Sequence, residues 1–136
     1  MMINKKHIGR KMCNDCLTSL VKSIEEYQRE IEEHLEKNPC ECCSLFPKFL
    51  YGVCSDMKVL SLTKIKKNNQ VCFNGFRKMR DFEELLKYKI KCKLNNGLEQ
   101  IDDCKEDMRE NSYIIKMNQL KELNETFEAI EAADHI

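Results

Sequence analysis

Nine cysteines among 136 residues are the side chains with the most chemistry to offer. Cys13-Asn14-Asp15-Cys16 is a C-x2-C; Cys40, Cys42 and Cys43 follow a helix length later, and Cys54, Cys72, Cys92 and Cys104 trail behind. Three roles compete: a disulfide frame, a metal site, or reduced thiols used as small hydrophobes. A zinc site wants two knuckles with tight turns. Here no second C-x2-C exists and His34 has no spaced partner histidine, so no metal is expected. As a redox pair, Cys13 and Cys16 would gain from a helix N-terminus, which lowers a thiol pKa. The disulfide reading uses the spacing further. Cys43 and Cys54 bracket Pro47, so a hairpin between two helices there would join them, worth roughly 3 kcal/mol on the chain-entropy account. Cys72 and Cys92 stand at the two ends of a later apolar stripe, positioned to receive Cys16 and Cys13. His7, His34 and His135 are isolated, and no Cys–His or Ser–His–Asp spacing is evident. The chain is therefore expected not to be an enzyme and to need no cofactor.

The elements that must hold these residues read as helices. Leu17, Leu20, Ile24, Tyr27, Ile31 and Leu35 advance by three and four, an apolar stripe that predicts a helix from Leu17 to Lys37. Asp15 is its expected N-cap, and Asn38-Pro39 its stop. Pro47 suits a first helical turn, and Met57, Leu60 and Ile65 make a short third stripe with Val59 and Leu62 on its flanks. Lys66-Lys67-Asn68-Asn69-Gln70 reads as a basic loop. Phe73, Phe76, Met79, Phe82, Leu85, Leu86 and Ile90 predict a fourth helix, and Asn95-Asn96-Gly97 a turn after it. Ile114, Met117, Leu120, Leu123, Phe127 and Ile130 predict a last helix from about Asn111. Four or five short amphipathic helices give an all-α fold. Two prolines and four glycines are too few for a barrel or sandwich. The longest apolar run falls short of a membrane span.

Net charge is zero but polarised along the chain. Residues 58–93 carry eleven bases and three acids; residues 94–136 carry four bases and eleven acids. The simplest expectation is an acidic C-terminal helix folded back on a basic middle. The alternative is a basic face aimed at an anionic surface. The start, Met1 to Lys11, is basic without an apolar core and is not a secretory signal as written. Asn124-Glu125-Thr126 is a glycosylation sequon inside a predicted helix.

The run Cys13-x2-Cys16, a gap of twenty-six residues, then Cys43-Ser-Leu-Phe-Pro-Lys-Phe-Leu-Tyr-Gly-Val-Cys54 resembles the first four cysteines of the saposin-like (saposin B-type) family. The likeness covers about residues 13–72. It implies pairing of Cys16 with Cys72 and of Cys43 with Cys54. Cys92 would be a distant substitute for the family's sixth cysteine. It also implies a layout: a basic segment 1–12, a saposin-like helical domain 13–94 and an acidic helical extension 95–136. The stretch Cys104-Lys105 with Tyr113 to Leu120 is similar to the C-terminal helical region of the mesencephalic astrocyte-derived neurotrophic factor family. Asp107 replaces that family's second cysteine there.

The saposin likeness implies a disulfide-stabilised protein that interacts with lipids or membrane surfaces. Leu20, Ile24, Tyr27, Ile31, Phe46, Phe49 and Leu50 would line the apolar clasp. Lys64, Lys66, Lys67, Arg77, Lys78 and Arg80 would face anionic headgroups. Expected partners are a lipid or an anionic membrane surface, with a homodimer left open and no nucleic acid. The implied compartment is secreted or lysosomal. The competing expectation is a cytoplasmic helical interaction module with reduced or zinc-bound cysteines, docking by one of its apolar stripes.

Overall fold

Asn38, placed before Pro39, ends a first helix that begins at Asn14. The residue preceding a proline is pushed out of the α region, and the chain must turn there. The computed structural model describes residues 13–38, 40–69, 73–104, 106 and 109–132. Among them are four helices and no strand: α1 (Asn14–Lys37), α2 (Glu41–Asn68), α3 (Phe73–Asp103) and α4 (Glu110–Glu131). The basic segment 1–12 and Cys72 lie outside the described residues.

The α1 stripe is as expected: Leu17, Leu20, Ile24, Tyr27 and Ile31 are buried and Leu35 packs against them. Cys13, not Asp15, is the N-cap; Asp15 sits in the first turn and Lys37 in the last, each favourable to the helix dipole.

Two expectations of a break fail. Pro47 lies inside α2, which runs unbroken to Asn68. A proline forfeits one N–H, but its fixed φ is helical. One continuous rod keeps Leu50, Val53, Cys54, Met57 and Leu60 in the core. The segment from Lys66 is therefore the last turn of α2 rather than a loop. Likewise α3 runs through Asn95-Asn96-Gly97. Gly97 is a point of close approach: a Cβ there would stand 2.9 Å from Phe49 Cζ and 3.4 Å from Leu120 Cδ2. The boundary expected between residues 94 and 95 falls inside α3, and one core draws on all four helices.

Helices α1 and α2 run antiparallel, pinned by Gln28 Nε2 to Ser55 Oγ (2.8 Å), Lys58 to Glu25 (3.2 Å) and Tyr51 Oη to Glu32 (2.8 Å). Helices α2 and α3 are joined by Lys93 to Asp56 (2.8 Å) and by a buried cluster. In it, Glu83 meets Lys64 at 3.0 Å, Lys67, and Lys87 at 3.6 Å. Lys64 also donates to the Glu131 carbonyl at the end of α4, 3.4 Å away. Ion pairs of the basic middle include those to Glu25, Asp56, Glu83 and Glu84.

Two predicted faces are rotated. Phe82 and Leu85 are 47% and 66% exposed, because Glu83, Leu86, Ile90 and Leu94 form the buried side of α3. Ile114, at 46%, is exposed too; the inner face of α4 is Leu120, Leu123, Thr126, Phe127, Ala129 and Ile130.

Candidate functional site

A groove of about 530 Å³ opens between the C-terminal half of α1, the start of α2 and the start of α4. Its apolar surface comes from Tyr27 and Ile31 on α1, Phe46, Pro47 and Leu50 on α2, and Ile115 on α4. Glu30, His34, Ser112, Lys116 and Gln119 supply the polar groups. The Lys116 ammonium lies 5.4 Å from the centroid of the Phe46 ring, a cation–π contact. Phe46 in turn leans on Phe49, ring centroids 6.3 Å apart and tilted by 35°. Burial raises the Tyr27 phenol well above its ordinary value, and Gln119 lies within hydrogen-bonding reach of it across the groove. A volume of this size falls within the range of small-ligand pockets.

Of the residues expected to line an apolar clasp, Tyr27, Ile31, Phe46 and Leu50 border this groove. Leu20 and Ile24 do not; they are core residues, 6% and 0% exposed. Phe49 packs against the core and against Gly97. Among the basic candidates, Lys66 and Arg77 are exposed, on α2 and α3. Lys67 is a correction: it is 6% exposed and bonded to Glu83, so it faces no surface. Lys64 is buried in the same cluster. Sequence reasoning missed Glu30, His34, Ser112, Ile115, Lys116 and Gln119. Ile115 and Lys116 lie just off the α4 stripe, and only the third dimension brings them to α1.

The cysteines are placed differently from the implied frame. No disulfide joins the described thiols of Cys13, Cys16, Cys40, Cys54, Cys92 and Cys104. Cys43 and Cys54 both belong to α2, and eleven residues of helix separate them by about 16 Å, far beyond the Cα reach of a disulfide. Cys54 is fully buried, and burial pushes its thiol up to about 12. Cys92 is also out of range of Cys13. Asn14, next to Cys13, bonds Asn68 and Asn69 at the end of α2, which is level with Glu83 through Lys67. Cys92 stands nine residues farther along α3, about 13 Å up the axis, beside Tyr88. The pairing of Cys16 with Cys72 lies outside the described residues, as does the side chain of Cys43. Cys16 instead has the Cys13 sulfur 3.4 Å away.

Thr126 of the sequon is fully buried, its hydroxyl donating to the Glu122 carbonyl (2.8 Å), so the triplet is locked in α4. Among the described residues no cluster of His, Cys, Asp and Glu is arranged to hold a metal ion. No described helix is long and apolar enough to cross a membrane.

The chain matches no protein-family model, no curated protein and no solved structure.

Proposed function

We propose that the chain is a lipid-binding module that seats one acyl chain in the α1–α2–α4 groove. The observation that carries this reading is an apolar trough, floored by Ile31, Phe46 and Leu50, with Lys116 and Glu30 among the residues that line it. Burying methylenes in such a trough is favourable at about 25 cal/mol per Å². The two signs of charge suit a zwitterionic head, with phosphate toward Lys116 and ammonium toward Glu30. The reading keeps the ligand class implied by the saposin likeness and replaces a disulfide clasp with a preformed groove.

The test uses lysophosphatidylcholine below its critical micelle concentration, followed by calorimetry. Saturable binding to one site is expected. Ile115→Glu should weaken it by about tenfold or more, equivalent to about 1.4 kcal/mol, with helicity unchanged because Ile115 is 57% exposed. Unsaturable uptake, or equal affinity in the variant, removes the proposal.

A second reading rests on a separate surface. Val59 and Leu62 on α2, with Phe82, Leu85 and Tyr88 on α3, are all exposed. Lys66, Lys78, Arg80 and Lys89 are exposed on the same helices. Exposed apolar side chains interleaved with exposed bases on these two helices fit an acidic amphipathic helix of a protein partner. Leu85→Glu should abolish binding of an acidic helical peptide in fluorescence anisotropy and leave lipid binding intact. A peptide that binds the variant as well excludes this surface.

A further inference from the structure

We propose that Cys13 and Cys16 form a dithiol–disulfide couple that exchanges with the disulfides of thiol compounds or partner proteins. Their sulfurs are 3.4 Å apart, and the residues lie three apart at the first turn of a 24-residue helix. That spacing places both side chains on one side of the helix at a separation a disulfide can span. Cys13 is exposed at the N-cap, where a nucleophile can be reached, and Cys16 is more covered, packing against the core. Between them, Asn14 is anchored on both sides. Its Oδ1 accepts from Asn68 Nδ2 at 2.8 Å, and its Nδ2 donates to Asn69 Oδ1 at 3.0 Å. The pair is therefore held on a turn pinned to a neighbouring helix rather than on a loose loop. The division of labour has an electrostatic side. The Cys16 backbone N–H and thiol hold the Cys13 thiol below its ordinary range, while the same contact raises Cys16. Only the thiolate is nucleophilic, so Cys13 attacks and Cys16 resolves.

The exchange balances as follows. The Cys13 thiolate attacks one sulfur of a substrate disulfide. That S–S bond breaks, the departing thiolate takes a proton from water, and Cys13 is left in a mixed disulfide. Cys16 loses its proton to water, attacks the Cys13 sulfur and expels the second substrate thiolate, which takes up a proton from water in turn. The net change oxidises two protein thiols to one disulfide and reduces one substrate disulfide to two thiols, a two-electron transfer. Neither step uses the groove, so this activity and lipid binding are independent.

The test incubates the full chain with oxidised glutathione and maps modified peptides by mass spectrometry. The wild type should yield an internal Cys13–Cys16 disulfide without a lasting adduct. Cys16→Ser should instead trap glutathione on Cys13, and Cys13→Ser should leave Cys16 unmodified over the same time. Titration in glutathione redox buffers should show the pair changing with the slope of a two-electron couple. A wild type that keeps a stable glutathione adduct on Cys13, or a Cys16→Ser variant whose Cys13 stays unmodified while other cysteines react, overturns the assignment. Circular dichroism confirms that both variants keep the fold, as expected at the rim of α1.

Discussion

Lys64 Nζ and Glu83 Oε1 lie 3.0 Å apart, with each side chain only 1% exposed. Lys67 reaches the other carboxylate oxygen, and Lys87 stands 3.6 Å from the first. Burial alone would raise the Glu83 pKa, but the Lys67 and Lys64 ammoniums outweigh it and hold the carboxyl below its usual range. The bundle thus holds one buried carboxylate shared among Lys64, Lys67 and Lys87.

Removing that carboxylate takes away the anion that Lys64 and Lys67 share inside the bundle. Glu83→Gln keeps the shape and loses the charge, and should destabilise the fold by about 3–5 kcal/mol, the usual cost of breaking a buried pair from one side. Replacing Glu83 together with its two most buried lysines, Glu83→Leu, Lys64→Met and Lys67→Met, should recover most of that loss. Urea unfolding of the three proteins decides it. A loss below about 1 kcal/mol in Glu83→Gln would mean that the cluster contributes nothing net.

The same group sets the acid limb. Its folded pKa is depressed, so its stabilisation is present above the ordinary glutamate value near ~4.3 and is lost as pH falls below that and through the folded value. Unfolding free energy measured from neutral pH downward should drop in the wild type and run flatter in Glu83→Gln. Parallel acid limbs would assign the effect to other carboxylates.

At the alkaline end the sign reverses. The Cys54 thiol rises from an ordinary value of 9.0 to about 12 on folding, so its neutral form is favoured inside. Its contribution is intact below about pH 9 and is lost as pH climbs toward 12. Tyr27, raised by burial, adds in the same direction. Iodoacetamide should accordingly label Cys13 quickly at neutral pH and leave Cys54 unlabelled until the protein unfolds. Peptide mapping that finds Cys54 modified first contradicts its burial.

Gly97 is a packing glycine, and its substitution should show coupling. Gly97→Val puts a branched side chain where even a Cβ would meet Phe49 at 2.9 Å, and should cost about 1–3 kcal/mol despite the better helix propensity of valine. Phe49→Ala in the same chain should relieve much of that overpacking, giving a favourable interaction energy in a double-mutant cycle. Strict additivity would place the strain elsewhere.

The all-α class, the body of α1 from Leu17 onward and the start of α4 could be read from apolar spacing, with Asn38-Pro39 marking the end of α1. The joins could not. Pro47 and Asn95-Asn96-Gly97 carry local signals for breaks that long-range packing overrides, one by the continuous burial along α2 and the other by the approach of Phe49. The charged cluster was written in the spacing but hidden by residue type. Met57, Leu60, Lys64 and Lys67 step by three, four and three, so the lysines continue an apolar stripe. Glu83 likewise heads the stripe of Leu86, Ile90 and Leu94. A lysine read by its charge is sent to solvent; read by its register it goes inside. The groove has no comparable linear trace, because Ile31, Leu50 and Ile115 meet only through tertiary packing. Cys13 and Cys16 were the reverse case: their proximity follows from spacing alone, and the fold adds the Asn14 anchor.

Lys64 leaves α2 and donates to the Glu131 carbonyl in the final turn of α4. The last helix therefore stoppers a charged interior as well as covering apolar surface. A fragment ending before α4 would bare an ammonium that the rest of the bundle is shaped to enclose, along with the apolar side of α3. The four rods share one core and should accordingly unfold as one cooperative unit. Proteolytic nicking near residue 105 would yield pieces that stay together or unravel together, with no shorter chain persisting as a native core.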